Sequence, residues 1–182
     1  MAGGFWSRSE MAFQLAACAE MLWRDRPISW RASRLKEMGF GVGLWNWPAW
    51  DVAALQRTGA TFTIMNGYLK GRLADKDGAD LLIASARETA LVGKRLGVQR
   101  LNLHGTGLGD FGLPIPHLAT FSPGMELRAR DTLNRICDLA EEMEVTFTLE
   151  NLNLREHPGC PFNTTAAVLS LVSAVNRPQL RI

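Results

Sequence analysis

The sequence predicts an α/β fold of the parallel (β/α)8 TIM-barrel type, of which its 182 residues cover about the first five to six βα units. Three observations carry this reading. Short apolar stretches, polar or Gly-rich loops and amphipathic helices ending near Gly recur in one order. Such βα units imply right-handed crossovers and a parallel sheet, either closed into a barrel or open and doubly wound. Polar residues cluster at the C-terminal ends of several strands, where barrels place their active sites. The first strand also lacks the G-x-G-x-x-G turn that an open dinucleotide-binding sheet carries. A chain of this length makes one domain with a sizeable core, residues 1–182, a partial barrel without the C-terminal βα units.

Phe13 to Met21 reads as the first strand, within an apolar run from Met11 to Leu22. Gln14 and Glu20 interrupt that run; it lacks a basic leader and is too short to span a bilayer, so a buried strand is expected. Ile28 to Met38 follows as a helix, with Pro27 before it and Gly39 at its end. Phe40 to Trp47 is strand two; Asp51 caps a helix to Thr58, and Gly59 leads into strand three, Thr61 to Asn66. A polar loop is expected from Gly71 to Gly78, then a helix from about Asp80 to Leu96 that ends at Gly97. Val98 to His104 is strand four.

A long loop with Gly105, Gly107, Gly109, Gly112, Pro114 and Pro116 comes next, of a length that is usually a functional lid or mobile. Its glycines have the wrong spacing for a phosphate loop, and no helix begins at once. Ser122-Pro123 opens a helix in which Leu133, Ile136, Cys137 and Ala140 form a core-facing stripe, so Cys137 reads as packing. Val145 to Glu150 is strand five, Thr164 to Val175 a helix, and Pro178 to Ile182 begins a sixth apolar stretch.

Composition narrows the partners. Hydrophobic residues make 47% and charged residues 21%, an ordinary globular balance. Twenty basic against eighteen acidic residues leave a net charge of +2, too little to steer nucleic acid or an anionic membrane surface. Cys18, Cys137 and Cys160 are odd in number and unpatterned, which suits a reducing cytoplasm and neither a disulfide framework nor a zinc knuckle.

Chemistry is expected around Thr146 to Asn153. In a strand, Val145, Phe147 and Leu149 share one face while Thr146, Thr148 and Glu150 share the other, which carries a carboxylate to the rim. Glu150 is the candidate catalytic residue, against the plainer reading of a solvated strand end. His104 ends strand four on the same parity as Asn102 and is expected beside Glu150 in normal register. His104, Asn66, Asn151 and Asn153 are candidates for binding substrate, the asparagines through sugar-like hydroxyls, although Asn also favours turns. Glu20 reads as a solvated strand end and His157 as a solvated loop residue. Trp23, Trp45, Trp47 and Trp50 would either wall a pocket or pack in the core.

Leu15 to Leu22, Gly39-Phe40, Leu101-Asn102-Leu103-His104-Gly105, Leu149-Glu150-Asn151-Leu152-Asn153 and His157-Pro158-Gly159 resemble hydroxypyruvate isomerase-like proteins of the xylose isomerase-like (AP endonuclease family 2) barrel superfamily. The resemblance runs nearly end to end. It implies a (β/α)8 barrel that isomerises or epimerises a small sugar or hydroxy-ketone, commonly with a divalent metal such as Mg or Mn. It also implies that Glu150 is the first metal-binding and proton-transferring glutamate. In relatives an Asp from strand six and groups from strands seven and eight, a second glutamate among them, complete the site. The resemblance places that Asp just beyond Ile182, so the residues given are not expected to assemble the metal site alone. Some relatives carry an acidic residue where Gly43 stands. The endonuclease IV branch needs several His ligands, and no His ends strand three.

Two readings of function follow. One is a sugar or hydroxyacid isomerase/epimerase working by proton transfer; the other is a truncated, inactive barrel fragment that binds or self-associates as a homo-oligomer through open sheet edges.

Overall fold

The computed structural model describes residues 13–115 and 122–182. Met11 and Pro116 of the segments above lie outside them. Six parallel strands alternate with helices: β1 (Ala16–Cys18), α1 (Ile28–Glu37), β2 (Gly41–Leu44), α2 (Val52–Arg57), β3 (Phe62–Asn66), α3 (Lys76–Leu96), β4 (Arg100–Leu103), α4 (Pro123–Met143), β5 (Thr146–Leu149), α5 (Thr165–Val175) and β6 (Leu180–Arg181). The sheet order is β1-β2-β3-β4-β5-β6, every pair parallel. This is part of a (β/α)8 barrel, laid out in the order a barrel requires.

Local chemistry sets the boundaries. Asp51, Ser122 and Thr164 each accept the backbone N–H three residues on, so α2, α4 and α5 begin at side-chain caps. Gly97 ends α3 in the left-handed region, at φ 73°. The stripe on α4 points inward as its spacing predicts: Leu133, Ile136 and Cys137 are fully buried and Ala140 nearly so. They pack with Val42, Leu101, Leu103, Phe147, Leu149 and Leu180 from one sheet face. Outside, Arg87 pairs with Glu142 and Arg135 with Asp80 at 2.6 Å, tying α3 to α4, while Arg177 reaches Asp138 at 2.9 Å and Glu141 at 3.0 Å.

Two expectations are corrected. The first strand is three residues long and not buried: Phe13, Leu15 and Met21 are 82%, 62% and 65% exposed. Its apolar sequence sits on an edge strand hydrogen-bonded only to β2 among the described strands, so no neighbour covers it. The polar loop from Gly71 ends earlier than expected, because α3 starts at Lys76 and takes in Gly78. Gly71, at φ 90°, lies so close to this first turn that a Cβ would sit 2.3 Å from the Gly78 carbonyl oxygen.

Candidate active site

The strand register stacks polar side chains on one level. Asn66 pairs with Asn102 and Asn102 with Thr148, at the C-terminal ends of β3, β4 and β5. One side-chain repeat higher stand His104 and Glu150, where the Glu150 amide still donates to the Leu103 carbonyl at 2.9 Å. His104 Nε2 lies 3.2 Å from Glu150 Oε2. Asn102 donates its Nδ2 to the same oxygen, and its own Oδ1 accepts from Thr148 Oγ1 at 2.8 Å. The Thr148 hydroxyl thus fixes which way the Asn102 amide faces. Glu150 Oε2 is held twice, while Oε1 has no partner among the described residues.

His104 is buried, and its Nδ1 has no hydrogen-bond partner among the described residues. A proton on Nδ1 would be a buried donor without an acceptor, so the imidazole N–H belongs on Nε2, where Glu150 accepts it. The Tyr68 ring stands edge-on to the imidazole, with centroids 6.2 Å apart. Tyr68 is fully buried, its hydroxyl donating to the Thr106 carbonyl, and burial pushes the phenol well above its ordinary range. The hydrogen bond from His104 is the largest influence on Glu150 and lowers its pKa. Partial burial acts the other way, and Asn102 and the nearby His157 add to the lowering. Glu150 is therefore an ionised carboxylate at neutral pH.

These groups wall a cavity of about 480 Å³. Cys18, Gly43, Trp45 and Ile64 line one side, Asn66, Asn102, His104 and Glu150 another, and Glu156 and His157 the rim. Gly112, Leu113 and Pro114 close part of it. They belong to the loop after β4, which doubles back through Gly109 N–H to the Leu113 carbonyl at 2.8 Å and Ile115 N–H to the Gly107 carbonyl at 3.0 Å. Asn66 Nδ2 donates to the Gly112 carbonyl at 3.2 Å and ties this loop to β3. Gly43 is the residue that lines the cavity from the middle of β2, and Gly41–Leu44 contains no acidic residue, so no carboxylate arrives from that strand.

Of the residues singled out in the sequence, the structure brings Glu150, His104 and Asn66 to one cavity and leaves two apart. Asn151 is half-buried and does not line it. Asn153 is exposed and builds a turn, accepting the Glu156 amide at 3.0 Å and donating to the Glu156 carboxylate at 3.2 Å. Glu20 is the sharpest correction. It is buried, accepting from the backbone N–H of Trp45 and of Asn46 (3.0 Å) and from Trp50 Nε1 (2.8 Å). Its donors lie 25 to 30 residues further along the chain, so no local pattern announced them. His157 is half-buried at the rim, closer in than a solvated loop residue, and of the tryptophans Trp45 walls the cavity while Trp23, Trp47 and Trp50 pack against the core. Asn102, Thr148 and Glu156 were not singled out for the site. The shared parity of Asn102 with His104, and of Thr148 with Glu150, was the available signal.

The donors also bear on a metal. Glu150 and His104 are suitable ligand types, but among the described residues no three His, Cys, Asp or Glu side chains gather into a metal-binding group. A divalent ion takes about four to eight donors. The described residues alone do not fit one.

Parallel βα units with an ionised glutamate, an imidazole and amide groups around a cleft at the strand C-termini define part of a barrel of the TIM class. Within that class, a family profile described as xylose isomerase-like TIM barrel matches residues 52–182, and the chain belongs to this family. Compared with curated protein sequences, it has no match. Solved structures similar in fold include an AP endonuclease, family 2, from Brucella melitensis (TM-score 0.74, 20% identity, covering 92% of this chain and 66% of that one). A D-allulose 3-epimerase from Methylomonas sp. has a TM-score of 0.66 and 18% identity, over 92% of this chain and 60% of that one. The IolI protein with a bound zinc atom has a TM-score of 0.68 and 17% identity, over 92% and 61%. The chain thus spans between 60% and 66% of the length of these structures.

Proposed function

We propose that this chain carries the proton-transfer half of an isomerase or epimerase site that acts on a small sugar or hydroxy-ketone. The observation that supports it best is the asymmetry of Glu150, one oxygen held by His104 and Asn102 and the other without a partner among the described residues at the cavity wall. In this reading Glu150 Oε1 removes the hydrogen next to the substrate carbonyl, and the bonds to Oε2 keep the carboxylate ionised and aimed. Asn66 binds a substrate hydroxyl or carbonyl oxygen from the same face; the His104 N–H is committed to Glu150, so His104 aims that carboxylate rather than holding the ligand, and Asn151 and Asn153 contribute only if the rim rearranges around a ligand. Glu150 is also proposed as one ligand of a divalent metal, in a site to which the described residues bring too few donors to hold the ion alone. That several similar folds are sugar epimerases, and that IolI holds zinc, agrees with this general kind.

The test is exchange of carbon-bound hydrogen of a ketose with D2O, with Mn²⁺ supplied. Glu150→Gln should lower exchange by roughly 10²–10⁴-fold. Exchange that survives in this variant would end the assignment.

A second reading, a self-associating binding protein, rests on the exposed edge strand β1 with Phe13 and Leu15 in the open. Size-exclusion chromatography giving a monomer at all concentrations would count against it.

A further inference from the structure

Beside the first cavity lies a second, of about 600 Å³, lined by Glu20, Arg24, Arg31, Asn46 and Trp50 together with Met21, Trp45 and Leu113. Met21, Trp45 and Leu113 also line the first, so the two hollows share a wall. The charges in the second are not balanced in the ordinary way. Arg31, on α1, is only 6% exposed, yet forms no ion pair among the described residues. Its guanidinium donates to three backbone carbonyls, Arg26 at 2.6 Å, Arg24 at 2.8 Å and Ala19 at 3.4 Å. A guanidinium has five N–H groups. Two are left without an acceptor among the described residues. Arg24, exposed on the adjoining loop, has no side-chain partner there either.

Glu20 in the same wall does not cancel both. Its two oxygens are already taken by three N–H donors, and it forms no ion pair with either arginine. A buried cation without a counter-ion is costly, and a planar fork with spare donors matches a carboxylate or phosphate.

We infer that the second cavity is an oxyanion subsite in which Arg24 and Arg31 hold the anionic group of a ligand whose remainder reaches the first cavity past Met21, Trp45 and Leu113. The subsite itself does not depend on Glu150 chemistry. That its occupant is the substrate rests on the proposed proton transfer.

Calorimetric titration of the full chain at constant ionic strength tests it, with D-glycerate, inorganic phosphate and neutral glycerol as probes. The two anions should bind and glycerol should not; the tighter of the two says whether a carboxylate or a phosphate group is preferred. Because Arg31 also holds the loop carbonyls, the exposed Arg24 carries the main arm: Arg24→Ala should weaken anion binding roughly tenfold with an unchanged melting temperature. Arg31→Lys, which keeps the charge and loses the fork, should weaken it too. Equal binding of glycerol and the anions overturns the inference, as does anion binding unaltered in both variants. Arg24-dependent binding that persists in Glu150→Gln, with no hydrogen exchange in the parent chain, keeps the subsite and removes the proposed reaction. Exchange of an anionic substrate that is indifferent to Arg24→Ala does the reverse.

Discussion

Glu150 has its two oxygens in different situations, and its stability linkage follows from that. The folded-state pKa is lowered, chiefly by the His104 hydrogen bond, so the unfolded chain takes up a proton at higher pH than the folded one. The stabilisation is therefore fully present above the ordinary carboxylate value of about 4.3 and is lost as pH falls through the lowered value. Melting curves of the parent and of Glu150→Gln, recorded in chelator from pH 7 to pH 3, should keep a constant separation down to about pH 5. Below about pH 4 the parent should lose ground to the variant. A separation independent of pH would show that the carboxylate gains nothing from its neighbours.

At the scale of elements, α4 divides into a face that sustains the core and one that does not. Ile136 is fully buried, whereas Leu127 on the same helix is 67% exposed. Ile136→Ala should cost about 2–5 kcal/mol in urea unfolding, and Leu127→Ala no more than about 0.5 kcal/mol. Equal costs would contradict the packing. This face was legible in the sequence because helical periodicity is a local property, as were the cap at Asp51 and the helix start at Ser122-Pro123. The extent of β1 was not, because whether Phe13 and Leu15 are covered depends on what pairs beyond them, which composition does not encode. Glu20 failed for a related reason: its burial is made by Trp45, Asn46 and Trp50, contributed by another unit. His104 and Glu150 were readable together because parallel register carries parity from one strand to the next. The tie from Asn66 to Gly112 was not, since it depends on how the loop after β4 folds back.

Across the whole molecule, protection should follow position in the sheet. β2, β3, β4 and β5 have strand partners on both sides, while β1 and β6 have one each among the described strands. Hydrogen–deuterium exchange should be slowest in Gly41–Leu44, Phe62–Asn66, Arg100–Leu103 and Thr146–Leu149, and fastest in Phe13–Leu15 and at Ile182. Protection of Ala16–Cys18 equal to that of β4 would mean that β1 is covered in solution, as the self-association reading requires.

The strand order has a further consequence, for how the chain comes together. Because each described strand pairs with its neighbours in sequence, none of the pairings among the described strands has to wait for a distant segment. Each step closes a loop of one βα unit, and the entropy of that closure is modest. On a ribosome, β2 can find β1, and β4 can find β3, while later units are still being made. The half-site of His104 and Glu150 is then complete once β5 docks on β4, and its geometry is inherited from a single neighbouring pair rather than from closure of the ring.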